Sequence, residues 1–260
     1  FLFNGVWCFA GTSRIGEMIK INGNGYNFDE KEHIHTLDGL PLHGITTVLK
    51  VISKPALIQW AANMAIGYIK ENSSGFEMFE GEQTNFYRGI TDELLNEARF
   101  AHRKKKEKAG DWGTIVHKAI EEWIKTKTEP KLENEQQMVF DKFKNWVEEN
   151  KIEFLESEKH VWSKELWIGG ITDGIMKMDD KKYVFDIKTS SNIYNEMFFQ
   201  MAAYSLCLEE MGEHKDIEGY IVINLKKDGS IDFKRADNME VNRNAFLAAL
   251  SLHKIMATLQ

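Results

Sequence analysis

Apolar and polar residues alternate along several stretches of the chain, which is the pattern typical of half-buried β-strands. Three such stretches follow each other closely in the second half: FLESEKHVWS, LWIGGITDGIMKM and KYVFDIKTS. Two more, GYIVINL and SIDFKRA, flank a KKDG segment that is typical of a turn. Residues 1–50 also show strand patterns separated by Gly- and Asn-containing turns, one of them at Asp38 and Gly39.

Apolar residues spaced three to four apart predict helices in other stretches. One helix follows Ser53, its expected N-cap, and a charged helix begins at Thr91 or Asp92. The helix after that has one apolar face, formed by Ile115, Val116, Ala119, Ile120, Trp123 and Ile124. Further helices are predicted over ENEQQMVFDKFKNWVEEN, over NIYNEMFFQMAAYSLCLEEMG as far as Gly212, and over residues 242–259. Residues 72–90 are predicted to be loop.

This order of elements predicts an α/β fold with a mixed central β-sheet flanked by helices. We expect a β-rich segment over residues 1–52, a helical lobe over 53–110 and the core over 111–260. Trp60, Trp112, Trp123, Trp146 and Trp162 are expected to lie in the core rather than on a binding surface.

The composition is compatible with this fold and limits the possible partners and cellular compartment. The chain of 260 residues carries a net charge of −7, which argues weakly against a nucleic-acid partner. Residues 99–108, however, contain six Lys or Arg and one acid, so a locally basic surface remains open. No apolar run approaches the roughly 20 residues of a membrane span. Two widely separated cysteines, Cys8 and Cys207, favour a reducing, intracellular setting.

The candidate chemistry lies in GGITDGIMKMDDKKYVFDIKTSS. Asp173 and Asp186 lie on two strands joined by a turn, so pairing of these strands can bring the two carboxylates together. Adjacent carboxylates repel each other and favour a cation between them, and oxygen ligands suit Mg²⁺ or Mn²⁺. Lys188 lies two residues after Asp186 and can point to the same place. The alternative is a hairpin with a solvated Asp–Lys pair, but the apolar residues before Asp186 favour a buried strand end.

Several motifs together resemble the RecB-type branch of the PD-(D/E)XK nucleases. They are a G-x-x-D motif ending at Asp173, a D-x-K-T motif from Asp186 to Thr189, and a Q-x-x-x-Y motif from Gln200 to Tyr204. The upstream GTIVHKAIE is similar to the histidine motif of that branch. The resemblance covers roughly residues 91–260, and the preceding part is similar to phage-type and mitochondrial genome-maintenance exonucleases.

The resemblance implies a restriction-endonuclease-like core and a role for each matching residue. His117, Asp173, Asp186 and the backbone carbonyl of Ile187 would hold one or two Mg²⁺ or Mn²⁺ ions. Lys188 would position the nucleophile or stabilise the pentavalent phosphorus, and Glu158 would bind a second metal or orient a water. The DNA contacts would come from the residues that follow the strand: Thr189, Gln200 and Tyr204. An iron–sulfur cluster is not expected, because it needs four cysteines.

The function expected from this resemblance is that of a metal-dependent deoxyribonuclease, with an exonuclease that prefers single-stranded DNA favoured over an endonuclease. It would serve DNA repair, recombination or replication in the cytoplasm of a bacterial or phage host, or in mitochondria. A catalytically inactive DNA-binding or assembly module is the alternative. Arg103, Lys104 and Lys105 would line a DNA channel or simply form a solvated helix face. Glu121, one turn after His117, is interpreted as a solvated residue rather than one that tunes the histidine.

Overall fold

The computed structural model describes residues 19–20, 25–73, 75–78 and 85–259, in which helices flank a mixed central sheet. The helices are α1 (Ile45–Val48), α2 (Pro55–Asn72), α3 (Asp92–Thr126), α4 (Asn134–Glu149), α5 (Asn195–Met211) and α6 (Met239–Thr258), with a 3-10 turn at Leu49–Val51. The early strands are β1 (Ile19–Lys20), β2 (Tyr26–Asp29), β3 (Ile34–Leu37), β4 (Leu40–Pro41), β5 (His43–Gly44), β6 (Gly75–Met78) and β7 (Asn85–Arg88). The later strands are β8 (Glu153–Ser163), β9 (Ile168–Met178), β10 (Lys181–Lys188), β11 (Ile217–Leu225) and β12 (Ile231–Ala236). The predicted α/β class is therefore confirmed.

The central sheet has the strand order β12-β11-β10-β9-β5, and β8 pairs with the other edge of β9. Strands β10 and β11 are parallel, and α5 connects them as a crossover helix. On one edge of β9, β10 pairs as far as Gly174 and β5 pairs at Ile168 and Gly169. The segment of β9 that contains Asp173 lies between these two partners, and none of the described strands pairs with that edge of it.

Helices cover the two faces of this sheet, and β10 shows how the chain divides between them. Val184 packs with the cluster that includes α5 and α6, whereas Tyr183, Phe185 and Ile187 pack with α3 and α4. Full burial of such side chains contributes roughly 1.5–3 kcal/mol each. Because side chains alternate along a strand, Asp186 extends the row of Val184 to the strand end.

The N-terminal sheet, in the order β1-β2-β3-β4, packs on the strands β8 and β9. The ring of Tyr26 stacks on that of Trp162 with 4.4 Å between the centroids. The predicted turn is confirmed at Asp38 and Gly39, which both have positive φ, as a type I′ turn requires. The other turn predicted in this segment, at residues 21–24, lies outside the described residues. Cys8 also lies outside them.

Two predictions about the N-terminal half are wrong. Residues 45–51 are helical rather than extended, because this places Ile45 and Val48, which are almost fully buried, on one face against the core. Residues 72–90 are not only loop, because β6 and β7 form an antiparallel hairpin that pairs Phe76 with Tyr87. In both segments tertiary contacts override the local preference.

Helix α3 is continuous from Asp92 to Thr126, although the sequence pattern predicted two successive helices here. Thr91 caps it as predicted, since its Oγ1 accepts a hydrogen bond of 3.2 Å from the Leu94 amide. The helix continues through the predicted domain boundary at residue 110, so the basic stretch of residues 99–108 and His117 lie on the same helix. Other boundaries differ slightly: α2 begins at Pro55 after Lys54, and α6 begins at Met239, whereas α5 ends at Gly212 as predicted. No helix of the described ranges is long and apolar enough to cross a membrane.

Candidate active site

Three carboxylates occupy matching positions on β8, β9 and β10. Ser157 pairs with Gly174 and Lys159 with Thr172, so Glu158 lies opposite Asp173 across β8 and β9. Phe185 pairs with Gly174, so Asp186 lies beside Asp173 at the first position beyond the β9–β10 ladder. The row of acids therefore crosses the sheet where β9 and β10 stop pairing.

Asp173 is held by a histidine and by a backbone amide. Its Oδ2 accepts a hydrogen bond of 2.6 Å from the Ile187 amide and lies 3.0 Å from His117 Nε2. Burial would raise the pKa of Asp173, but the hydrogen bond with His117, the charges of His117 and Lys188 and the Ile187 amide together outweigh burial, so the pKa lies below its usual value. The same hydrogen bond raises the pKa of His117, against the effect of burial. The Ile187 amide thus meets Asp173, and the role of the Ile187 carbonyl as a metal ligand stays a prediction.

Asp186 is 1% exposed and is paired with Lys188. The Lys188 ammonium donates a hydrogen bond of 2.7 Å to Oδ1 and lies 2.6 Å from Oδ2 without the alignment of a second hydrogen bond. Burial raises the pKa of Asp186 to about 6, even though Lys188 acts in the opposite direction. Burial would lower the pKa of Lys188, but Asp186 and Asp173 raise it. The solvated Asp–Lys pair considered from the sequence is therefore wrong for Asp186, since its side chain is almost fully buried.

Asn224 fixes the segment that follows Lys188, and sequence reasoning missed it. This fully buried residue of β11 accepts a hydrogen bond of 3.0 Å from the Ser190 amide and donates one of 2.9 Å to the Ser190 carbonyl. A polar residue within the apolar strand GYIVINL was the available signal. Because the clamp holds both backbone groups of Ser190, it fixes the end of β10 that carries Lys188.

His117 reaches Asp173 because α3 approaches the end of β10 closely. One turn before His117, Gly113 is buried against Thr189, and a Cβ at this position would overlap Thr189 Oγ1. A glycine is therefore required for packing at this point of the helix, not for backbone conformation. Thr189, for which the family resemblance implies a DNA contact, has a packing contact with α3 in the structure.

We expect Gly113→Ala to separate α3 from β10, with a loss of about 1–3 kcal/mol in the free energy of unfolding from overpacking. Gly110→Ala is the matched control, since a Cβ there meets nothing within 4 Å. This control should be stabilising by up to about 1 kcal/mol, because alanine favours the helix. Urea unfolding measures both. Adding Thr189→Ala should restore part of the stability of Gly113→Ala, and equal effects of the two glycine variants would contradict the close approach.

Gln200 and Tyr204 lie one turn apart on α5, as their spacing predicts. The Gln200 side chain amide donates a hydrogen bond of 2.7 Å to the Tyr204 hydroxyl. Tyr204 is only 2% exposed and packs against Gly170. Burial, followed by the charge of Asp186, raises the pKa of Tyr204. Tyr204 therefore lies in the core near the carboxylates, whereas Gln200 is partly exposed to solvent.

Glu158 faces a cleft on the α3 side of Asp173, and its backbone there is strained. Its φ of 48° lies in the left-handed region, which costs of order 1–3 kcal/mol for a residue other than glycine. The cleft is open, with about 200 Å³ of empty space that includes adjoining solvent, and is lined by His117, Glu121, Ile124, Ser157, Glu158, Asp173, Phe185 and Ile187. Burial and the neighbouring Glu121 raise the pKa of Glu158.

The interpretation of Glu121 as a merely solvated residue is wrong. Its side chain is 21% exposed, lines the cleft, and forms an ion pair of 2.5 Å with Lys125. Its position one turn after His117 was the signal in the sequence, because residues four apart share a helix face.

The basic residues Arg103, Lys104 and Lys105 are exposed on α3. Lys105 precedes His117 by twelve positions, which corresponds to about 18 Å along a helix axis. The Arg103 guanidinium lies 4.9 Å from the centre of the Phe100 ring. Of the five tryptophans expected in the core, four are buried: Trp112, Trp123, Trp146 and Trp162. Trp60 is only half-buried, on α2.

Within the described residues no three His, Cys, Asp or Glu side chains are arranged as ready metal ligands. The candidate metal ligands contact other side chains instead: His117 forms a hydrogen bond with Asp173, and Lys188 donates one to Asp186. Two carboxylates and an imidazole on neighbouring elements nevertheless fit Mg²⁺ or Mn²⁺ chemically. A divalent ion would replace the hydrogen bond that joins His117 to Asp173.

Comparison with known proteins adds no assignment to this geometry. No protein-family profile matches the sequence, and no curated protein shows significant similarity to it.

Proposed function

We propose that the protein is a metal-dependent deoxyribonuclease of the RecB-type branch of the PD-(D/E)XK nucleases, acting as an exonuclease on single-stranded DNA. The observation that supports it most is the pairing of two carboxylates at a strand end with one lysine and one histidine. Asp186 is buried beside Asp173, and Lys188 lies within 2.7 Å of Asp186. Asp173 and His117 also line the cleft, and desolvated charges with perturbed pKa values beside a cleft are typical of catalytic sites.

Each side chain has a role that follows from its position. Asp173, Asp186 and His117 would hold the divalent ion, which when bound acts as a Lewis acid and activates a water for attack on phosphorus. The Lys188 ammonium, fixed by Asp186, would stabilise the negative charge that develops on the phosphate oxygens. The Ile187 amide keeps Asp173 oriented. By resemblance to the family the 3′ oxygen leaves, which gives 5′-phosphate ends.

The lobe formed by α2, β6, β7 and the first half of α3 supports a single-stranded substrate. Helices α2 and α3 pack together, and the Tyr68 hydroxyl donates a hydrogen bond of 2.5 Å to Glu97. The lobe exposes both apolar and basic side chains, for example Ile58 at 75% and Phe100 at 41%. Unpaired bases can stack on aromatic rings while cations contact the phosphates, and a duplex offers fewer such contacts. The same surface would serve a role in DNA repair, recombination or replication.

Linear single-stranded DNA should be degraded from an end, whereas covalently closed single-stranded circles should resist. The physical reason is that, in the proposed arrangement, a strand would be led along the lobe on α3 to the carboxylates from its end. Both substrates are incubated with the protein and Mn²⁺, and the products are separated on a denaturing gel. Cleavage of circles as fast as linear strands would favour an endonuclease and leave the metal site unaffected.

Changing Arg103, Lys104 and Lys105 together to Gln should weaken DNA binding and reduce its salt dependence by up to about three units of slope, one for each lost phosphate contact. Binding is measured by fluorescence anisotropy between 50 and 200 mM salt. The matched control changes Lys177, Lys181 and Lys182 to Gln, which alters the net charge equally at the hairpin end of β9 and β10, away from Asp186. An unchanged salt slope in the first variant would assign the stretch to a solvated helix face.

A further inference from the structure

The cleft beside Asp173 borders a second group of charges that the roles proposed for Asp173, Asp186, His117 and Lys188 do not involve. Lys125 lies between Glu121, on its own helix, and Glu158, on β8. Its ammonium is 2.5 Å from Glu121 Oε1 and 3.4 Å from Glu158 Oε2. An ion pair four residues apart on a helix is common, but here the third member comes from a strand of the sheet.

The backbone of β8 presents Glu158 to this group. Glu158 lies opposite Asp173 and has a left-handed φ of 48° in the middle of a strand, where residues other than glycine are rarely found. Glu121 and Glu158 both line the cleft together with His117 and Asp173. Two carboxylates that share a cleft repel each other and favour a positive charge between them.

We propose that the Lys125 ammonium supplies the positive charge that a second divalent cation would otherwise bring between Glu121 and Glu158, so that the site takes up a single divalent ion. This inference rests on the proposed function, which places that ion at Asp173 and Asp186. An ammonium is a compact point charge with three donors, so it can contact two carboxylates at once and offset part of their mutual repulsion. Its repulsion of a divalent ion at contact distance would weaken a second binding event by at least ~30-fold.

The test is the number of Mn²⁺ ions bound by the full chain, without DNA. Metal-free protein is titrated with Mn²⁺, and free Mn²⁺ is followed by electron paramagnetic resonance. We expect one bound ion in the unmodified protein and two in Lys125→Met. Lys118→Met, an exposed lysine on the same helix, is the matched control and should bind one ion. Lys125→Arg keeps the charge and should also bind one.

The outcomes separate this inference from the proposed function. A single ion in Lys125→Met, or two ions already in the unmodified protein, would overturn the role of Lys125 and leave the nuclease proposal intact. An absence of bound Mn²⁺ in every variant would overturn both. The Lys125 side chain is 42% exposed, so its replacement should leave the fold unchanged, and Lys125→Gln provides a second variant if Lys125→Met fails to fold.

Discussion

Lys188→Ala should reduce kcat for DNA cleavage by at least about 10²-fold, the loss typical of removing one group that stabilises transition-state charge. DNA affinity should change little, because the Lys188 ammonium is paired with the buried Asp186 and is not part of an exposed DNA-binding surface. Single-turnover cleavage of labelled DNA measures the first effect, and anisotropy measures the second. Lys182→Ala, at the opposite end of the same strand and paired with Asp216 at 2.6 Å, is the matched control.

Lys188→Ala also leaves Asp186 buried without its partner, which has a consequence for stability. Burial already raises the pKa of Asp186 to about 6, and loss of the ammonium raises it further. The carboxyl can stay neutral at pH 5.5, so the variant should unfold more easily at pH 8 than at pH 5.5, relative to the unmodified protein. Turnover close to that of the unmodified protein would refute a catalytic role for Lys188.

Mn²⁺ should raise the melting temperature, and more so at pH 8 than at pH 5.5. The folded pKa of Asp186, about 6, exceeds its ordinary value of 3.8, so the stability of the metal-free protein falls as pH rises through that range. The pKa of His117 is also raised, so its contribution is complete at low pH and is lost as pH rises through the folded value. A divalent ion competes with both protons and is therefore favoured at high pH.

The expected size of the shift follows from mass action. An ion at 100 times its Kd contributes about 2.7 kcal/mol, which corresponds to roughly 5–10 °C for a chain of this size. Differential scanning fluorimetry of metal-free protein at both pH values measures it. The Asp173→Asn/Asp186→Asn double variant is the control and should show no shift. A shift that persists in this variant, or that is larger at pH 5.5, would place the ion elsewhere.

The carboxylate pair could be predicted from the sequence because a short turn fixes it. Met178 pairs with Lys181 across Asp179 and Asp180, and the same register brings Asp186 beside Asp173. Both turn residues have positive φ, which a two-residue hairpin turn requires and aspartate tolerates. The alternation of apolar residues likewise predicted the strands of the core and hence the α/β class.

Other parts of the site depend on contacts between distant elements, which a single sequence does not encode in any local pattern. The approach of Gly113 to Thr189 joins α3 to the end of β10, and the clamp of Asn224 on Ser190 joins two strands. The Lys125 group needs a helix, a strand and a strained φ together. The β6–β7 hairpin was missed for a related reason, since its glycines indicate loop unless the pairing is known.

Hydrolysis of end-labelled single-stranded DNA by purified protein, with Mn²⁺ and with EDTA, tests the central claim most directly. The unmodified protein should release short products that carry 5′-phosphates when Mn²⁺ is present, and none in EDTA. Asp186→Asn should be inactive in both conditions, because the buried carboxylate beside Asp173 is lost. Cleavage that survives thorough EDTA treatment, or that Asp186→Asn retains at the original rate, would contradict a metal-dependent nuclease centred on these residues.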